Sequence, residues 1–158
     1  MDSRPATSQS PAPRPAPRPG RVPRADAPAK RVLTADDSAP MRAMLRAMLE
    51  TDPSVRWEVV QASCGAEFLE VLAQQSAFDL CVLDVHMPGM DGYEVCRVLR
   101  EVDQRVPVLF VTAEGDPANY GQGRQAGGDS YLVKPFSSSA LLTAVHLLVS
   151  LKRRSASQ

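Results

Sequence analysis

At 158 residues the chain supports one domain, and no apolar run approaches the ~20 residues needed to cross a bilayer. The formal net charge of zero hides an asymmetry: residues 1–30 hold six Lys/Arg against two acids, and residues 31–158 hold twelve against sixteen. The part able to fold is thus mildly acidic, which argues against direct nucleic acid binding. The N-terminus lacks the apolar stretch of a signal peptide, so a cytoplasmic protein with no membrane association is expected. Cys64, Cys81 and Cys96 are odd in number and show no metal spacing, which favours buried structural thiols over a disulfide or zinc.

Residues 1–29 carry eight prolines, block both helix and sheet, and read as a solvated, polyproline-like tail. Such a tail is either a docking arm for a proline-binding groove or an unselected extension, and the second reading is preferred. From Arg31 the pattern alternates. Arg31–Ala35 is a short buried strand. Ser38–Thr51 is helical, with Met41, Leu45, Met48 and Leu49 on one face. Trp57–Gln61 is a second strand, and Ala66–Gln74 a helix with Phe68, Leu69 and Leu72 together. Phe78–Asp84 is a continuous apolar strand ending on an aspartate and running into Met87-Pro-Gly. Asp91–Glu101 is a helix with Asp91 as its N-cap.

Pro107–Thr112 is a fourth strand, since proline is tolerated at a strand's first residue. Asp116–Ala126 is a weak helix, because Gly121 and Gly123 each cost about 1 kcal/mol relative to alanine. Gly127 is a natural C-cap. Asp129–Val133 is the fifth strand, and Ser137–Leu151 the last helix. In that helix Leu141, Leu142, Val145, Leu148 and Val149 form one apolar stripe. Ala140, Ala144, Leu147 and Leu151 form a second beside it, wider than one sheet face requires and pointing to a partner surface. Five strands separated by helices give an α/β fold, a parallel sheet covered on both faces. The expected domain spans residues 30–152, with a short polar tail at 153–158.

Several polar residues fall at strand carboxyl ends. Asp36 and Asp37 follow the first strand, Asp84 ends the third, Thr112 ends the fourth and Lys134 follows the fifth. In a parallel sheet these ends share one edge, where such folds place their sites. Three carboxylates around one point repel each other unless a hard, oxygen-seeking cation such as Mg²⁺ neutralises them. A lysine and a hydroxyl beside that cation suit a phosphoryl group. Taken singly, Asp36 or Asp37 could cap a helix, Asp84 could be a turn residue, Thr112 a strand residue and Lys134 a solvated charge. Chance does not readily place all of them at four strand ends.

With these motifs in view, the chain resembles the receiver domain of two-component response regulators, the CheY-like family. The resemblance covers roughly Lys30 to Leu151. It rests on Val32-Leu-Thr-Ala-Asp36-Asp37-Ser, Leu83-Asp84-Val-His-Met-Pro88-Gly-Met-Asp-Gly92, Val111-Thr112-Ala113, and Ala126-Gly-Gly-Asp-Ser-Tyr131-Leu-Val-Lys134-Pro135-Phe. It implies a flavodoxin-like (βα)₅ fold with strand order 2-1-3-4-5.

The resemblance also implies roles. Asp84 would be the phosphoacceptor, and Asp37 and Asp84 would hold Mg²⁺ with the backbone carbonyl of His86, Asp36 helping directly or through water. Lys134 would pair with a phosphoryl oxygen. Thr112 would turn its hydroxyl to the phosphoryl group, with Tyr131 rotating inward behind it. His86 and Glu114 would tune phosphoryl lifetime, and the Lys134–Pro135 bond would be cis. The implied function is that of a single-domain response regulator, not an enzyme beyond its own phosphotransfer and dephosphorylation. Its partners would be a sensor histidine kinase or histidine phosphotransfer protein, and a downstream protein or second copy on the face of the fourth helix, fifth strand and fifth helix. Two alternatives stay open: a degenerate receiver acting as a scaffold, and a Mg²⁺-dependent aspartyl-nucleophile phosphohydrolase. The second is disfavoured because His86 stands where haloacid-dehalogenase-like phosphatases carry their second aspartate.

Overall fold

The structure is a computed structural model that describes residues 28–75, 77–113, 115 and 117–156. Its elements in chain order are β1 (Lys30–Ala35), α1 (Ala39–Glu50), β2 (Trp57–Ala62), α2 (Gly65–Gln74), β3 (Leu80–Asp84), α3 (Gly92–Val102), β4 (Val108–Thr112), α4 (Pro117–Ala126), β5 (Ser130–Val133) and α5 (Ser138–Ala156). The five strands pair in parallel in the order β2-β1-β3-β4-β5. This is the flavodoxin-like arrangement.

Side chains alternate between two cores, as the two-residue period of a strand requires. Leu33, Cys81, Leu83, Val108 and Phe110 pack with Phe68 of α2 and Val95, Cys96 and Leu99 of α3. Val32, Leu80, Val82, Leu109 and Val111 pack with Leu45 and Leu49 of α1 and Leu141, Val145 and Leu148 of α5. β3 and β4 are buried on both faces, and β1 is buried from Val32 on, which is why Leu80–Leu83 and Val108–Val111 read as unbroken apolar runs. β5 is an edge strand, and all four of its residues are only half-buried.

Local chemistry sets the helix ends. Ser38 caps α1, its hydroxyl accepting from the Met41 N–H, and Asp91 caps α3 through the Glu94 N–H. Cys64 caps α2, its sulfur accepting from the Glu67 N–H, so this thiol is half-buried while Cys81 and Cys96 are buried. All three are free. Gly127, at φ +100°, ends α4 in a Schellman motif: its N–H bonds the Arg124 carbonyl, and the Gly128 N–H bonds that of Gly123. α5 runs to Ala156, past the Leu151 boundary expected from the apolar stripe. Lysine and arginine, which follow Leu151 in the sequence, are good helix formers. β3 begins at Leu80 and is shorter than expected, with Asp79 just before it bonded to Arg31 through both its N–H and its carboxylate.

One buried group escaped the sequence reading. Asp52, after α1, accepts from the Ser54 N–H and hydroxyl, the Val55 N–H and the Trp57 indole N–H. Its Oδ2 also lies 2.6 Å from Nε2 of His146 on α5. This carboxylate fastens α5 to the α1–β2 connection at the sheet edge where the strands begin.

Candidate functional site

The register brings the strand ends together. Ala35 pairs with Leu83, Asp84 with Val111, and Thr112 with Val133. Asp36, Asp84, Thr112 and Lys134 therefore lie along one edge of the sheet. Carboxylate oxygens of Asp36, Asp37 and Asp84 lie within 4.8 Å of one another. Asp36 and Asp84 are buried, whereas Asp37 is exposed. The Lys134 ammonium lies 3.2 Å from Asp36 Oδ2 and 3.6 Å from Asp84 Oδ1, bridging the two buried carboxylates. Thr112 is buried beside them, and the Lys134 N–H donates to its carbonyl at 2.8 Å.

Burial and, after it, the neighbouring Asp36 carboxylate push the Asp84 carboxyl up to about 6, against the pull of Lys134. A single ammonium thus leaves the cluster short of positive charge. The donor set consists of carboxylate oxygens only, which fits a hard divalent cation such as Mg²⁺.

Asp36 does not cap α1. Its Oδ1 accepts from the Ser38 N–H and its main-chain carbonyl from Arg42, so that both ends of the residue are fixed while Ser38 takes the cap. The loop after Asp84 is held from both sides. The His86 N–H approaches Asp84 Oδ1 at 3.4 Å, and the Gly92 N–H donates to the Val85 carbonyl at 2.9 Å. A Cβ at Gly92 would overlap the main-chain carbonyl of Asp84. Glycine at that position lets α3 start directly against the end of β3. The His86 side chain is exposed on this loop, the Lys134–Pro135 peptide is cis, and Glu114 lies outside the described residues.

Tyr131, two strand positions before Thr112's neighbour Val133, is half-buried. Its ring meets Phe110 and the edge of Tyr120, with centroids at 5.3 and 4.9 Å. Its hydroxyl bonds the Tyr93 hydroxyl and the Asn119 carbonyl, and Tyr93 reaches the same carbonyl. Burial and the Tyr93 bond push the Tyr131 phenol up. The sequence reading missed Tyr93 as a partner, and no periodic pattern in the sequence joins it to Tyr131.

Comparison with known proteins agrees with this geometry. A model of the response regulator receiver domain matches residues 32–146. The transcriptional regulatory protein ResD of Bacillus subtilis is 39% identical over 119 residues, covering 75% of this chain and 48% of ResD. The response regulator MprA of Mycobacterium leprae is 39% identical, covering 75% of this chain and 50% of MprA. The chain thus spans about half the length of these curated relatives. The structure of the Vibrio cholerae chemotaxis protein CheY4 superposes with a TM-score of 0.71 at 31% identity, covering 77% of this chain and 99% of that one.

Proposed function

Because this chain belongs to the response regulator receiver domain family, we propose that it takes a phosphoryl group on Asp84 from the phosphohistidine of a sensor kinase or phosphotransfer protein. The observation carrying this reading is the Lys134 ammonium set between Asp36 and Asp84, with three carboxylates converging on one point. An Asp84 oxygen attacks phosphorus, the phosphorus–nitrogen bond to histidine breaks, and the nitrogen keeps the electron pair and gains a proton. The product is an aspartyl phosphate.

Phosphorylation brings about −1.5 to −2 charges to a site that already holds carboxylates. Mg²⁺, when bound, would supply compensating charge, and Asp37 and Asp84 would hold it with the His86 carbonyl, Asp36 helping directly or through water. Lys134 pairs with one phosphoryl oxygen, and the Thr112 hydroxyl donates to another. Moving Thr112 changes the space behind it, where Tyr131 sits in its tyrosine cluster, and the change passes to α4 and β5. His86 and Glu114 set how long the phosphoryl group persists.

The receiving surface is the α4–β5–α5 face. Leu147 and Leu151 are 58% and 51% exposed on α5. With about 100° per residue, they lie on the opposite flank from His146, which is tied to Asp52 beside α1. The second apolar stripe therefore faces the β5 edge, ready for a downstream protein or a second copy. We propose that residues 30–152 form the receiver unit and that it acts in the cytoplasm on a protein and not on nucleic acid. Among the described residues no helix is long and apolar enough to cross a membrane.

Intact-mass measurement after incubation with acetyl phosphate tests the reading. The expected result is one alkali-labile phosphate adduct that requires Mg²⁺ and is absent from Asp84→Asn. A folded protein that takes up no phosphate would leave the scaffold alternative.

A further inference from the structure

α4 has little of its own to hold it against the fold. Among its described residues, the buried ones are Gly123 and Ala126, and neither brings a large side chain to the core. Tyr120 is 37% exposed and meets the Tyr131 ring edge-on. Helices in proteins owe most of their stability to a packed apolar face, and Gly121 and Gly123 weaken this one further.

The missing hold comes from β5 and α3. The Tyr131 ring lies so close to Gly123 that a Cβ there would overlap it. Its hydroxyl donates to the Asn119 carbonyl at 2.7 Å, and the Tyr93 hydroxyl lies 3.1 Å from the same oxygen. The two hydroxyls also bond each other. Three contacts therefore share two protons, since a phenol donates only once. The shorter bond to Asn119 takes the Tyr131 proton. The contact between the hydroxyls then needs the Tyr93 proton, because two facing lone pairs repel. The chain of donation runs from Tyr93 to Tyr131 to Asn119, and a hydroxyl that accepts while it donates is held harder than one that only donates.

The start of that chain is rigid and its end is not. Tyr93 is buried, with its ring edge-on to Phe110 at 5.2 Å, and Val95, Cys96 and Leu99 anchor the rest of α3 in the core. Tyr131 stands on the half-buried edge strand, and Asn119 in the first turn of the weakest helix.

We propose that Tyr93 is a positioning residue for the Tyr131 switch: its hydroxyl latches Tyr131, and through it the first turn of α4, to α3 before any phosphoryl group reaches Asp84. This rests on the reading of Tyr131 as the side chain that answers Thr112. The latch sets the resting position from which that movement starts. Without it, the Tyr131 hydroxyl keeps one bond, to a helix that is itself poorly held, and the ring exchanges between its cage and solvent.

The test places 3-fluorotyrosine at position 131 of the full chain and follows the ring by fluorine NMR. The unphosphorylated wild type is expected to give one line with a small shift between H₂O and D₂O. Tyr93→Phe keeps the ring beside Phe110 and removes only the hydroxyl. It is expected to move the line toward that of free fluorotyrosine, to at least double the solvent isotope shift, and to shift the amides of residues 119–126. Val95→Ala loosens α3 without touching either hydroxyl and is expected to leave the line in place. Beryllofluoride with Mg²⁺ is expected to lower the isotope shift of Tyr93→Phe again. An unmoved line in Tyr93→Phe, or an equal movement in Val95→Ala, overturns the proposal. A line that Tyr93→Phe moves and beryllofluoride does not return upholds the latch and counts instead against a switch driven from Asp84. A preserved far-ultraviolet circular dichroism spectrum in both variants shows that the fold is not what changed.

Discussion

Thr34 sits in the middle of β1 with its side chain fully buried, and its hydroxyl is the one buried side-chain oxygen or nitrogen without a hydrogen-bond partner among the described residues. A buried polar atom left unpaired costs roughly 1–3 kcal/mol. Valine keeps the shape and removes the hydroxyl. Thr34→Val is therefore expected to raise stability by about 1 kcal/mol, read as a higher urea midpoint at unchanged slope. Asp52 is the opposite case, a buried polar group with every acceptor in use. Burial alone would raise its carboxyl, but donors from Trp57, His146 and Ser54 outweigh it and hold the group at about 2, below the ordinary 3.8. A depressed folded value means stability that is complete above the ordinary value and is lost as the pH falls through the folded one. The loss falls between pH 3.8 and about 2, and amounts to about 2 kcal/mol. Denaturation curves across that range are expected to show it, and Asp52→Asn to flatten it while lowering stability at neutral pH.

At the scale of elements, α4 shows where sequence reading succeeds and where it stops. Its two glycines read alike as weak points of a helix. In the fold they differ: a Cβ at Gly121 meets nothing within 4 Å, whereas one at Gly123 would overlap the Tyr131 ring. Gly121→Ala is expected to stabilise by about 0.5–1 kcal/mol, as alanine does in an exposed helix interior. Gly123→Ala is expected to destabilise by roughly 1–3 kcal/mol through overpacking and to displace Tyr131. Urea titration of the two variants, with the Tyr131 amide followed by NMR, separates them. The ten elements were legible because periodicity and caps are local signals, and most boundaries moved by one or two residues, the end of α5 by five. Asp36, Asp84, Thr112 and Lys134 were legible for another reason: in a parallel sheet, strand ends in the sequence are neighbours in space. Asp52 with His146 and Tyr93 with Tyr131 were not. Each pair joins elements through side chains alone, 94 and 38 residues apart, and no periodic pattern reports such a meeting.

For the molecule as a whole, the two ends of the sheet divide the work. One edge gathers charge around Asp84, while the other is fastened by Asp52, His146 and Trp57. Between them, α5 is held firmly along its sheet side and offers Leu147 and Leu151 outward. Sedimentation of the beryllofluoride-loaded chain is expected to show self-association that Leu147→Glu abolishes. A monomer in both states assigns that face to a different protein. Switching depends on where the phosphoryl group resides. The most direct measurement is borohydride reduction of the acetyl-phosphate-treated chain, followed by tandem mass spectrometry to locate the reduced residue. The expected result is reduction at Asp84 alone, dependent on Mg²⁺ and suppressed in Lys134→Ala. Reduction at Asp36 or Asp37, or none on a folded chain, would contradict it.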